Sequence, residues 1–223
     1  MRGRTPAAAR RAKEPIVEAT SRRVVALAGA RSDTRDRILR AAIKMFGAHD
    51  FDSTTMRDLA SAVGIKAPGI YNHFSSKEEI LNAAIECAMR DFSRYVLGPD
   101  DPKEPPVDRL RRIVMRHVNY QIADAHAAKA FDFFMYGSTQ QGYVSEYSRN
   151  QVRTLLRQYV NVVSDILRLI DRRLTRRESR MRAIVITDMC DTVGRWYRAD
   201  GEYSPEKVGS FYWSLIRKIV DPR

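Results

Sequence analysis

From Ile38 to Ile219 the apolar residues of this 223-residue chain return at intervals of three and four. Ile38, Ala42, Met45 and Phe46 form one such run, Ile80, Leu81, Ala84, Ile85, Met89 and Phe92 a second, and Val107, Leu110, Val114, Val118 and Ile122 a third. That spacing puts each set on one side of an α-helix, and no stretch keeps the two-residue alternation of a half-buried strand for long. The expected fold is all-α, with helices near 34–48, 55–62, 67–73, 77–97, 105–124, 127–136, 142–171, 176–198 and 205–220, about nine in total. Several starts carry side chains that can accept the free N–H groups of a first turn: Asp33, Ser76 with Glu79, Thr175 with Glu178, and Ser204 ahead of Pro205. Proline punctuation from Pro99 to Pro106 breaks the chain after the fourth helix, and Ala199-Asp200-Gly201 ends the eighth.

A hydrophobic share of 44% is enough for a real core and excludes both disorder and a disulfide-stapled miniature scaffold. Cys87 and Cys190 lie far apart in apolar helical patterns, so neither a disulfide framework nor a paired-cysteine metal site is suggested, and a reducing cytoplasm is the simplest setting. No apolar run approaches the roughly 18 residues of a membrane span. The short stretch Val24–Ala30 after Arg22-Arg23 comes too late and is too brief for a secretion signal. The net charge of +12 invites a nucleic-acid partner, but the charge is uneven. Residues 1–32 form a basic arm, and 172–182 hold six arginines against one acid, whereas Asp33 to Leu81 is neutral. Bulk charge therefore does not locate a reading element.

The segment Thr34 to Phe74 does. An amphipathic helix is followed by a second, just over two turns long, from Thr55 to Val63. Gly64-Ile65 then leads into Lys66-Ala67-Pro68-Gly69-Ile70-Tyr71-Asn72-His73-Phe74. This is helix-turn-helix spacing. Ala60 is small where two helices cross, Gly64 can take the positive φ of a tight turn, and Leu59, Val63, Ile65, Ile70 and Phe74 supply a small core. Proline at 68 is harmless only in a first turn, which starts the third helix at 66 or 67. Lys66, Ala67, Pro68, Gly69, Tyr71 and Asn72 then line the end and face that can enter a major groove.

Thr34 to Ala42, Phe46, Thr55, Arg57-Asp58-Leu59-Ala60, Gly64-Ile65, Ile70 to Phe74 and Ser76-Lys77-Glu78 together resemble the N-terminal domain of TetR-family transcriptional repressors over about fifty residues. The resemblance implies that Thr55 and Lys77 hold phosphates and that Tyr71 and His73 meet the sugar-phosphate backbone. It sets Arg57, Ala67, Pro68 and Gly69 toward bases. Lys77 at a helix start and Arg57 as a fork-shaped donor suit those roles. Two plainer alternatives stand beside them: Arg57 paired with Asp58 or Asp36 on the surface, and Tyr71 as a residue of the small core. The basic arm is either a solvated tail or a groove-following extension.

The organisation that follows is an arm at 1–32, a DNA-binding domain at 33–80, and a larger helical-bundle ligand-binding and dimerisation domain at 81–223. Met181, Ile184, Val185 and Val193, then Val208, Phe211, Tyr212, Leu215, Ile216 and Ile219, make two apolar stripes near the C-terminus. They suit an antiparallel helix pair that meets its two-fold mate, or else they seal the monomer core. Aromatics are dense in the same domain. Phe92, Tyr95, Tyr120, Phe131, Phe134, Tyr147 and Trp196, with Arg195, are candidates for lining an apolar effector pocket. Gly194 to Gly201 followed by Ser204-Pro205-Glu206 resembles the C-terminal part of TetR relatives that respond to acyl-CoA or steroid-CoA thioesters, which would give Arg195 and the 172–182 arginines an anionic group to meet.

No glycine-rich phosphate loop, serine-hydrolase elbow or zinc-protease motif is present, and the histidines His49, His73, His117 and His126 are scattered. The expectation is a non-enzyme without cofactor or metal: a cytoplasmic, homodimeric, ligand-responsive repressor of a palindromic double-stranded DNA operator, with no membrane contact. A helical-bundle lipid carrier and a nonspecific architectural DNA binder are the competing classes.

Overall fold

The computed structural model describes residues 33–48, 51–123 and 142–220. The basic arm, the helix expected near 127–136 with Phe131 and Phe134, and His49 and His126 lie outside the described residues. Within them the chain forms α1 (Thr34–Ala48), α2 (Met56–Ala62), α3 (Ala67–Tyr71), α4 (Lys77–Val96), α5 (Pro106–Ala123), α6 (Glu146–Ile170), α7 (Arg176–Asp191), α8 (Val193–Trp196) and α9 (Pro205–Val220), with no strand among the described residues.

Local chemistry sets most of these bounds. Thr55 caps α2 and Thr175 caps α7, each through a full capping box with the acid three residues on. Ser76 accepts from the Glu79 N–H to cap α4, but the Glu79 carboxylate does not return to Ser76; it accepts from the amide and hydroxyl of Ser75, both at 2.7 Å. The long helix expected near 142–171 begins only at Glu146, because Ser145 is its N-cap. The helix expected at 176–198 is interrupted at Thr192. There the threonine hydroxyl donates back to the Met189 carbonyl at 2.8 Å and Gly194 follows two residues on, so α8 is a separate short turn.

The core runs without a break from the small N-terminal domain into the larger one. Ile38, Leu39, Ala42 and Phe46 of α1 meet Leu59, Ala60, Ile70, Phe74 and the first half of α4. Ile85, Met89, Phe92 and Val96 carry the same helix into the larger bundle, so α4 belongs to both bodies. The hub of that bundle is α5, which packs against α4, α6, α7, α8 and α9. Its approach to α9 is close enough that a Cβ on Gly209 would lie 2.6 Å from the Met115 methyl carbon. Arg182, midway along α7, donates to the Ile219 carbonyl near the end of α9 at 2.9 Å and ties these two helices together.

Gly64 makes the tight turn between α2 and α3 at φ +70°. A Cβ there would meet nothing within 4 Å, so the cost of a side chain is purely backbone strain. Gly64→Ala is expected to destabilise the protein by about 1–2 kcal/mol, read as a lower urea midpoint. An unchanged midpoint contradicts this account of the turn.

Candidate functional site

The reading head is built from exposed side chains on a locked frame. Arg37 of α1 donates through Nη2 to the Val63 carbonyl at the end of α2, and the Arg35 guanidinium lies 4.8 Å from the Phe74 ring centroid. The Ile65 amide donates to the Ala60 carbonyl at 3.0 Å, closing the turn over Gly64. Pro68 sits in the first turn of α3, where its missing N–H leaves nothing unpaired. On this frame Arg57, Lys66, Pro68 and Asn72 are exposed, Tyr71 is 56% exposed, and Ala67, Gly69 and His73 are half-buried. Tyr71 is thus a surface aromatic rather than a residue of the small core. Arg57 makes no ion pair or hydrogen bond with Asp58 or Asp36 among the described residues.

Two of the expected phosphate-binding side chains have internal partners in the free chain. The Thr55 hydroxyl accepts from the Asp58 amide at 3.2 Å and donates to the Asp58 carboxylate at 2.6 Å. These bonds, and the Thr55 amide at 2.9 Å, hold Asp58 below the usual carboxylate range. The Lys77 ammonium donates to the Phe51 carbonyl at 2.7 Å and the Asp52 carbonyl at 3.4 Å, and lies 4.2 Å from the Phe51 ring centroid. It fastens the loop between α1 and α2 to the start of α4. Neither pairing could be read from helical periodicity. Lys77 and Phe51 are 26 residues apart, and Thr55-x-x-Asp58 carries a shorter acid than the Glu or Gln usual in this cap.

A clasp that the sequence did not suggest joins the two bodies. Tyr143 lies with its ring centroid 4.6 Å from that of Phe51 and donates its hydroxyl to Asp52 at 2.8 Å, a bond that pushes the phenol pKa up. Asn82 of α4 donates to the Tyr143 carbonyl at 3.3 Å and accepts from the Ser145 amide at 2.8 Å, while Ser148 of α6 donates to Glu86 of α4 at 2.8 Å. The start of α6 is thereby tied both to α4 and to the loop ahead of the reading head.

In the larger body Phe92, Tyr95 and Tyr120 do come together: Phe92 lies 5.3 Å and Tyr95 5.7 Å from Tyr120, centroid to centroid. Two residues missing from the expected lining join them, His117 at 4.9 Å and Tyr159 at 5.5 Å from Phe92. His117 is fully buried between the Tyr159 hydroxyl and the Asp191 carboxylate, both at 2.9 Å, and Gln121 donates to the same carboxylate at 3.0 Å. Burial pushes the Tyr159 phenol well up and raises the neighbouring Cys190 thiol. Three further candidates within the described residues have other surroundings. Tyr147 is 67% exposed on the first turn of α6. Trp196 stacks on Tyr212 at 6.3 Å and donates to its hydroxyl at 3.1 Å, and Arg195 is exposed in the last turn of α8. Among the described residues no group of three or more His, Cys, Asp or Glu side chains could hold a metal ion, and no helix is long and apolar enough to cross a membrane.

Residues 38–84 match the family described as bacterial regulatory proteins, tetR family, and residues 103–220 match the tetracyclin repressor-like C-terminal domain, more than half of the chain. The chain belongs to the TetR family. Among curated TetR-type relatives, the HTH-type transcriptional repressor KstR2 of Mycolicibacterium smegmatis is 26% identical over 196 residues, 82% of this chain and 88% of that protein. A crystal structure described as AibR in complex with isovaleryl coenzyme A and operator DNA matches with TM-score 0.70 at 18% identity, covering 82% of this chain and 97% of that one. A tetR-family regulatory protein from Rhodococcus RHA1 matches with TM-score 0.71 at 22% identity, covering 85% and 97%. At these identities the solved structures establish a shared TetR fold: an N-terminal helix-turn-helix domain carried by a larger helical body.

Proposed function

We propose that this TetR-family chain is a cytoplasmic, homodimeric repressor that holds a palindromic DNA operator and releases it when an apolar or acyl-CoA-like effector enters the larger body. The observation that carries the reading is the reading head itself, where Arg57, Lys66 and Tyr71 stand exposed on a helix-turn-helix that the Arg37–Val63 bond and the Thr55–Asp58 cap hold in place. Unpaired donors and a surface aromatic on α2 and α3 suit base edges and sugar-phosphate backbone. With Thr55 and Lys77 turned to internal partners, the phosphate grip falls more heavily on Lys66, Tyr71, His73 and backbone N–H groups.

Dimerisation rests on Met181, Ile184 and Val185 of α7 and Phe211 of α9. All four are exposed, whereas Val193, Val208, Tyr212 and Ile216 of the same stripes are buried in the single chain. One stripe therefore has both jobs, split by face. The effector reading is supported by the aromatic cluster around Phe92 and by the coenzyme A thioester in the AibR complex. No catalytic step is assigned to the chain.

The effector and the reading head communicate through α4, which lies in both cores, and through the Tyr143 clasp. Tyr143→Ala is expected to leave free-protein operator affinity within about threefold while weakening effector-driven release by roughly 0.5–2 kcal/mol of coupling. Fluorescence anisotropy on a labelled operator with and without effector measures both, and release equal to wild type would remove the clasp from the path. The function itself is tested by selecting fragments of the source genome on the full-length protein, with excess nonspecific competitor DNA, then adding short and medium-chain acyl-CoA thioesters. A repressor retains a short palindrome and loses it to one thioester; a sequence-blind binder enriches nothing.

A further inference from the structure

Along one side of α5 stand Arg109, Arg112 and Arg116. Arg109 forms a two-pronged pair with Asp100, Nε at 3.0 Å and Nη2 at 2.7 Å, and Arg112 pairs with Glu104. Arg116 differs from both: it forms no ion pair among the described residues. Its Nε donates to the carbonyl of Val96, the last residue of α4, at 2.7 Å. Its Nη2 is the one buried side-chain nitrogen or oxygen without a hydrogen-bond partner among the described residues. Burial lowers the guanidinium pKa, and the phenols of Tyr95 and Tyr159 lie near enough to act on its charge. Both tyrosines belong to the aromatic cluster around Phe92.

Arg116 is half-buried and the Asp100 charge acts favourably on it, but its buried Nη2 is left without a hydrogen bond, and an unmade bond at a buried donor is costly. Nε and Nη2 form the same fork by which Arg109 holds Asp100, a geometry matched to two oxygens of one anion. In Arg116 one prong is lent to the end of α4 and the other is empty. We propose that Arg116 receives an anionic oxygen of an otherwise apolar effector, seated against the Phe92, Tyr95, Tyr120 and Tyr159 rings, and that a two-pronged anion displaces the Val96 carbonyl and loosens the last turn of α4. This rests on the effector reading above and adds to it the charge of the ligand and the bond that ligand breaks. The oxygen can come from a free carboxylate or from the phosphates of a thioester carrier.

The experiment separates these sources. Full-length protein is titrated calorimetrically with octanoate, octanoyl-CoA and the neutral methyl octanoate, in wild type, Arg116→Met and Arg116→Lys. Wild type is expected to bind at least one anionic ligand roughly tenfold or more tightly than the ester, and the Met variant to lose that advantage. The Lys variant keeps the charge without the fork and is expected to fall between. Preference for octanoate assigns the carboxylate; preference for octanoyl-CoA alone assigns the phosphates. Equal affinity for ester and anions in wild type, or an unchanged anion preference in Arg116→Met, overturns the role of Arg116 while leaving an apolar effector site standing. Absence of binding by all three ligands in wild type overturns the effector class and this inference with it. Should the Met variant fail to fold, the ester-against-anion comparison in wild type and the Lys variant still decide.

Discussion

Arg57→Ala and Tyr71→Ala are each expected to lower operator affinity by about 1–3 kcal/mol, roughly 5- to 150-fold, with no shift in thermal midpoint beyond that of a surface substitution. Both halves of that expectation come from the same observation. Arg57 is exposed and unpaired among the described residues, and Tyr71 is 56% exposed, so removing either takes little from the packing of the small domain. Arg57 as a base contact would weaken discrimination at one position of each half-site. Tyr71 as a backbone contact would weaken binding more evenly across sequences. Thr55→Ala behaves differently: it removes a cap worth about 1 kcal/mol and lowers stability and DNA binding together. A Tyr71→Ala protein that binds its operator as wild type does, or one that melts early, would show that the ring serves the fold rather than the DNA. Anisotropy and calorimetric melting on the same preparations give the two readouts.

The second large effect concerns assembly. Met181→Glu combined with Phe211→Glu places carboxylates on a face that is apolar and uncovered in the single chain. Burying them against a two-fold copy would strand charges without partners, so the variant is expected to sediment as a monomer while retaining its helical circular dichroism. Operator affinity should then fall by a factor of about 10² to 10⁴, because the second half-site is no longer engaged by a linked reading head. Val208, Tyr212 and Ile216 are left untouched because they are buried within one chain, and charges there would unfold it. A dimeric double variant with unchanged operator binding would move the interface elsewhere.

Periodicity and punctuation carried the architecture. The start of α1 at Thr34, the start of α3 beside Pro68, the turn at Gly64 and the start of α9 at Pro205 all follow from residues whose conformational limits are local. The stripes of α7 and α9 were legible too, though not which members face inward, since that depends on where α5 lies. What escaped the sequence is long in range. Arg37 reaching Val63, Lys77 reaching Phe51, Tyr143 reaching Asp52 and His117 reaching Asp191 link positions from 26 to 91 residues apart, and nothing in a helical pattern announces them. The same cause separates the expected effector lining into parts. Phe92, Tyr95 and Tyr120 share one cluster because α4 and α5 pack together, whereas Trp196 is drawn to Tyr212 by α9. His117, scattered among other histidines in the sequence, proves to be a buried residue with both ring nitrogens bonded, one to Tyr159 and one to Asp191.

The central claim is that two copies of α3, held in register by the α7 and α9 faces, read successive turns of one duplex. Hydroxyl-radical footprinting of the full-length protein on its selected operator tests it most directly. The account predicts two equivalent protected patches related by a dyad, their centres about one helical turn or a multiple of it apart, and both lost together in the Met181→Glu, Phe211→Glu protein. A single unpaired patch, or protection that spreads along the duplex without regard to sequence, would contradict it.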